Sequence, residues 1–409
     1  MELKTNYQYT YFIYPFAIKE ENYRKYVTNL IKNKNYQLKF FDSFKNIELF
    51  KYFVPNVKEK MFQDFSFNSE KINIFNKLSF RHKLKILEEQ DCLMFEYILK
   101  EQMQGKIDEK DGIFFTIPKI ELICFNTGIC FLLIKTYLVE TNDFADVLNF
   151  NYKFENINFE NKNIKKLENI KIQTDIFNNM KEISTILDEI TGQKLQSKKL
   201  DIDENLFLVY TYVCLESNYW NKEADFKNIE NEFIKLAEIK QNDVNINVDY
   251  DKLSMLANSS FMKMRVNDKC VAILCSSTDK ENYTKLPEIY ENQYLYTFII
   301  ALHQKYYLKK LSNDFEKKPR NAIKKFIKFI NNIWISEITT DSFGQKLYKR
   351  CKEKLNLDVL FNDVKSKYDI FYKKLNIEKN RKINNIFIAL LICSIILGIA
   401  NLCSCIFFK

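Results

Sequence analysis

Two histidines, ten cysteines and a scatter of carboxylates are the side chains of this 409-residue chain that could do chemistry. A Ser or Cys nucleophile needs a base within hydrogen-bond reach, and only His82 and His303 could supply an imidazole. His303 lies on the helical face Ala301-Leu302-His303-Gln304, where a hydrogen-bonded packing role is the simpler reading. No GxSxG elbow and no HExxH pair occurs. Six glycines supply neither a Walker-type loop nor GxGxxG, so the chain has no Gly-rich phosphate cradle. Zinc needs clustered ligands, yet there is no Cys-x-x-Cys and the two histidines are far apart. Cys124, Cys130, Cys214, Cys270 and Cys275 sit in apolar runs, which reads as reduced, buried thiols. Acidic pairs such as Glu88-Glu89 and Asp201/Asp203 read as solvated carboxylates, and the Asp108–Asp111 stretch as a loop. The chain is therefore expected not to be an enzyme, and its residues name no cofactor.

The residues with the sharpest physical demand lie near the C-terminus. From Ile386 to Phe408 the sequence IFIALLICSIILGIANLCSCIFF carries no charge. At 1.5 Å per residue this run is about 34 Å long as a helix, enough for a hydrocarbon core of about 30 Å. A helix apolar on every face suits lipid better than a chain terminus in water. Asn401 is its one strongly polar side chain and would seek a partner on another helix or a watery pore. Ser394 and Gly398, four apart, give a small-xxx-small face for close helix contact. These three residues are the candidates for a pore lining or for helix association. Lys373, Lys374, Lys379, Arg381 and Lys382 lie upstream and only Lys409 beyond. The positive-inside rule then places the large domain in the cytoplasm and the C-terminus outside, in a single-pass protein of the cell membrane. The N-terminus, MELKTNYQYTYFIYPF, is polar, aromatic and charged early, unlike a signal peptide.

The elements that must position these residues follow from patterning. A net charge of +9 fits nucleic acid or an anionic lipid face, but it comes mainly from dispersed Lys. Base and phosphate recognition usually draws on Arg forks, which argues against nucleic acid as the main partner. Residues 10–18 read as a strand, Glu20 to about Lys32 as a helix and 37–41 as a second strand. IFFTIPKIELICFNTGICFLLIKTYL (113–138) holds three apolar β runs, with Pro118 between the first two and a turn at Asn126-Thr127-Gly128. Asp143 caps a helix through about Phe154, 175–190 reads as helix, and 205–215 and 269–276 read as strands. Beyond Pro287, residues 289–313 and 322–339 carry helical spacing, and Pro319 marks a helix start. From Ser342 the pattern is helical almost to the end, with no Gly or Pro between Gln345 and Gly398. It reads as one stalk, or as two helices broken near Asn356. The expected fold class is an α/β cytoplasmic domain, a mixed sheet with flanking helices (1–285). Paired helices (286–340), a stalk helix (341–385) and one transmembrane helix (386–408) follow.

That order resembles the CorA-like superfamily of divalent-cation transporters. KIELICFNTGICFLLIKTYL followed by DFADVLNFNYKF is similar to a strand pair and following helix of its cytoplasmic domain. YLYTFIIALHQKYYLKKLS resembles one of its paired helices. The family is marked by Gly-Met-Asn at the end of a first span, followed by a second span. This chain keeps Gly and Asn with altered spacing in Gly398-Ile399-Ala400-Asn401 and carries no second span. The resemblance implies a homo-oligomer, a pentamer, acting as a channel, transporter or pore-forming effector gated through its cytoplasmic domain. It also implies a divalent cation such as Mg and a small cytoplasmic ligand. Some relatives are proposed membrane effectors of bacterial antiviral systems, activated by a nucleotide messenger. The alternative expectation is a non-conducting, membrane-anchored sensor or scaffold.

Overall fold

Alternation along one strand sets the architecture. In β1 (Thr5–Ala17), Phe12, Tyr14 and Phe16 point to one side and Tyr9, Tyr11 and Ile13 to the other, and all six are buried. A strand covered on both faces reads as a near-continuous apolar run, as 10–18 does. The computed structural model describes residues 2–62, 69–99, 103–107, 113–155, 171–174, 177–182, 188–192, 207–244 and 255–407.

The further strands are β2 (Tyr36–Leu38), β3 (Cys92–Tyr97), β4 (Met103–Ile107), β5 (Ile113–Phe125), β6 (Ile129–Leu138), β7 (Lys171–Thr174), β8 (Phe177–Glu182), β9 (Leu208–Leu215), β10 (Leu256–Ser259), β11 (Met262–Val266) and β12 (Cys270–Ser276). Ten of them form one mixed sheet in the order β10-β11-β12-β9-β1-β6-β5-β3-β2, with β4 also on β5. Only β12 and β9 run parallel; β7 and β8 form a separate pair. The β5–β6 hairpin turns at Asn126-Thr127-Gly128 as its sequence predicts. Gly128 has φ +82°, and a Cβ there would collide with the Ile18 carbonyl oxygen. Pro118 does not split two strands. It sits in a register shift between Thr116 and Lys119, so β5 continues through it as a bulge. The helix expected over 175–190 is also corrected: 177–182 form a strand, and 175–176 and 183–187 lie outside the described residues.

The helices are α1 (Glu20–Lys32), α2 (Ile47–Tyr52), α3 (Pro55–Met61), α4 (Ser69–Lys77), α5 (Phe80–Glu88), α6 (Phe144–Glu155), α7 (Phe226–Ala237), α8 (Glu281–Thr284), α9 (Leu286–Ile289), α10 (Leu295–Lys317), α11 (Pro319–Asn332), α12 (Ser342–Lys354) and α13 (Leu357–Phe407). One face of the sheet carries the main apolar core. There Phe12, Leu122, Ile134 and Val209 meet Tyr26 and Leu30 of α1, Phe150 and Phe154 of α6, and Phe233 of α7.

The chain divides into two compact units, Met1–Tyr307 with Ile335–Leu357, and Leu308–Trp334 with Asp358–Lys409. The segment expected as paired helices, 286–340, is thus shared between them, and α11 stops at Asn332, short of the expected 339. The stalk expected over 341–385 is two helices. α12 ends at Lys354, and Asn356 adopts φ +55°, a left-handed conformation that Asn tolerates at a helix end. From Leu357 a single helix of 51 residues continues to Phe407. In the second unit the distal part of α10, α11 and the first half of α13 pack through rings: Phe315 with Phe371, Phe326 with Phe361 and Tyr368, and Trp334 with Phe361. A polar seam joins them, with Ser312 donating to Asp363 (2.8 Å) and Lys367 to Glu316 (3.2 Å). From Ile386 to Leu397 the large apolar side chains of α13 are 52–65% exposed. The helix is long and apolar enough to cross a membrane, which is consistent with single-pass anchoring.

Candidate functional site

The opposite face of the sheet is built on different chemistry. Lys119 and Glu121 alternate on β5 and so share a face, and Lys135 on β6 is the register partner of Lys119. Two like charges directly opposed are destabilising. Glu291 resolves the conflict by reaching between them, with one oxygen 3.5 Å from Lys119 Nζ and the other 2.5 Å from Lys135 Nζ. Glu121 lies 3.1 Å from Lys119 and 2.5 Å from Lys39, so five side chains form an alternating chain: Lys39, Glu121, Lys119, Glu291, Lys135. Glu121 is 4% exposed. Tyr11 donates to Glu291, Lys39 donates to the Tyr296 hydroxyl (2.9 Å), and Lys135 lies 4.6 Å from the Tyr9 ring centroid.

Glu291 owes its position to an irregular stretch. Residues Tyr290–Tyr294 form a π turn between α9 and α10, and such turns are frequent at functional sites. Tyrosines from the sheet supply further donors to backbone carbonyls of the short helices and the π turn. Tyr212 donates to the Asn282 carbonyl, Tyr9 to that of Pro287 (2.9 Å) and Tyr210 to that of Tyr290 (2.7 Å). The Tyr290 ring stacks on Tyr210 at 4.0 Å between centroids.

Burial alone would raise the Glu121 carboxyl, but Lys39 and Lys119 outweigh it and hold it at about 2. Burial likewise opposes ionisation of Glu291, and Lys135 and Lys119 hold it below the ordinary carboxylate value. Burial, then the charge of Glu291, pushes the Tyr9 and Tyr11 phenols well up. Near neutral pH the carboxylates stay charged and the phenols stay protonated. The arrangement holds fixed charge and donors.

At the end of the chain a cavity of about 410 Å³ is lined by Tyr7, Tyr9, Lys135, Tyr137, Asn6, Gln8 and Asn142, among others. Its size suits a small molecule. Three lysines against two glutamates leave one net positive charge, and Lys135 brings it to the cavity wall.

The sequence-predicted candidates lie elsewhere. Ser394 and Gly398 are exposed on α13; the Ser394 hydroxyl donates to the Leu391 carbonyl of its own helix (2.8 Å), and Gly398 has open space around it. Asn401 lies in the same helix, with its side chain outside the described residues. His303 is buried, its Nε2 2.9 Å from the Thr127 hydroxyl and its ring stacked on Phe125, as its packing role predicts. His82 meets Ser79 on the surface. Glu88 pairs with Arg24, while Asp108–Asp111 and Asp201/Asp203 lie outside the described residues. Cys124, Cys130, Cys214, Cys270 and Cys275 are buried free thiols. Among the described residues no group of three or more His, Cys, Asp or Glu side chains could hold a metal ion. No family model, curated protein or solved structure matches the chain.

The ion chain escaped sequence reading, although a signal for it exists. Lys119, Glu121 and Lys135 are charges inside otherwise apolar strand runs, and Lys119 and Glu121 have the spacing of two that puts them on one face.

Proposed function

We propose that the chain is a single-pass membrane protein whose soluble domain binds a small anionic molecule in the cavity beside Lys135. Its response is delivered to the membrane by a homo-oligomeric assembly of α13. The observation that carries this reading is the unbroken 51-residue helix, which begins among packed soluble helices and ends in an apolar span. The fixed positive charge at the cavity wall favours recognition of an anion. The positive-inside rule places the soluble domain in the cytoplasm and the C-terminus outside. On the resemblance to CorA-like proteins the assembly is a pentamer that conducts cations, with Asn401 and the Ser394–Gly398 face at the helix contacts.

Purified full-length protein in detergent tests this directly. A mass near five protomers, with loss of assembly in the triple variant Ser394→Leu, Gly398→Leu, Asn401→Leu, is the expected result; a strict monomer overturns it. Cation flux into liposomes then separates two readings. The second, a non-conducting anchored sensor or scaffold, is favoured by the Ser394 hydroxyl, which is spent on its own helix and leaves the described part of the span without a polar lining. An oligomer without flux under any added anion supports that second reading.

A further inference from the structure

We propose that the turn between α10 and α11 is a binding site for the headgroups of anionic phospholipids, seated on the membrane surface beside the span. Within the second unit, α10 runs along α13 so that Phe315 meets Phe371, and the chain reverses at Pro319. Arg320, just past the reversal, comes within 3.9 Å of Glu378 on α13. Glu378 is eight residues before Ile386, about 12 Å along the helix, and Lys382 is four residues before it, about 6 Å. The turn therefore stands within the reach of long cationic side chains from the start of the apolar run.

The composition at this height is one-sided. The turn brings Lys317, Lys318 and Arg320 beside Lys373, Lys374, Lys379, Arg381 and Lys382 of α13, all exposed. Against these eight cations stand Glu316, which pairs with Lys367, and Glu378. The local surplus is six, in a chain whose net charge is +9. At about 100° per residue the five cations of α13 point in several directions around the helix, and the turn thickens this collar on one side. A solvated face explains isolated lysines. It does not explain why a second element, reversing at this level, adds three more cations within about a Debye length of the bilayer surface.

This inference rests on α13 crossing the membrane, and the experiment keeps the two apart. The full chain is reconstituted into vesicles of phosphatidylcholine alone or with phosphatidylglycerol. Wild type is compared with Lys317→Gln, Lys318→Gln, Arg320→Gln, a variant that leaves α13 untouched. Native mass spectrometry reads the preference of retained lipid for phosphatidylglycerol. The expected result is unchanged alkali-resistant insertion and a preference reduced by at least about fivefold, the contribution of a single cation near an anionic surface, three being removed. An equal preference in variant and wild type overturns the inference. Failure of wild type to insert overturns the span instead, and circular dichroism of the variant guards against misfolding. Inorganic phosphate in excess is expected to leave the preference in place; its abolition by free phosphate overturns a lipid-bound site.

Discussion

The two faces of the ten-stranded sheet do opposite things with the same strands. On one side Phe12 stacks on Phe154 at 3.9 Å between centroids, within a continuous apolar core. On the other, one residue along, Tyr11 donates to the half-buried carboxylate of Glu291. The apolar face gains by removing carbon from water, a force indifferent to direction and nearly indifferent to pH. The ion face gains little from burial itself, because desolvating five charges offsets much of their mutual attraction. What it obtains is a single arrangement: β5, β6, the π turn and Lys39 must meet in one register or leave a charge unpaired. The comparison teaches that one face supplies stability and the other a single geometry.

Three substitutions test the contrast, all read as urea unfolding of the full chain in detergent. Phe12→Ala on the apolar face is expected to cost about 4 kcal/mol, by the same amount at pH 7 and pH 3. Glu121→Gln is expected to cost about 3 kcal/mol at pH 7, because Lys39 and Lys119 lose their common partner. Its pH dependence carries the sharper information. The folded carboxyl, held at about 2, lies below the ordinary value of about 4.3, so its contribution is complete above that value and is lost as pH falls towards 2. Wild type should therefore weaken over that window more steeply than Glu121→Gln, in which Glu291 alone of the two keeps a lowered carboxyl; parallel curves would break the distinction. The smallest effect is expected from Tyr9→Phe, about 1 kcal/mol, for one donor removed from the Pro287 carbonyl.

Much of the fold was legible because its signals are local. Asn126-Thr127-Gly128 needs a positive φ, and only Gly128 meets it without strain, so the hairpin could be read from three residues. The long apolar helix was legible because an uninterrupted run of apolar residues without Gly or Pro before Gly398 favours one continuous helix. Pro118 misled because a proline inside a strand normally ends it, and the bulge that accommodates it depends on β6 and is not encoded nearby. Asn356 was read as an optional break, since Asn is tolerated mid-helix and forced left-handed only by context. The candidate site was the least legible part. Lys119 opposes Lys135 only once register is known, and Glu291 reaches them across 172 and 156 residues of chain. Spacing in sequence identifies neighbours on one element, whereas this site is made by four separate segments.

The π turn at Tyr290–Tyr294 has a mechanical corollary. A π turn accommodates one residue beyond the α-helical count. Tightening it to α geometry shifts the helix that follows by one place, a twist of about 100° with an advance of about 1.5 Å. The backbone cost is small, because one ladder bond is exchanged for another. Glu291 sits in this turn, clamped between Lys119 and Lys135, so its two ion pairs favour the π register over the tightened one.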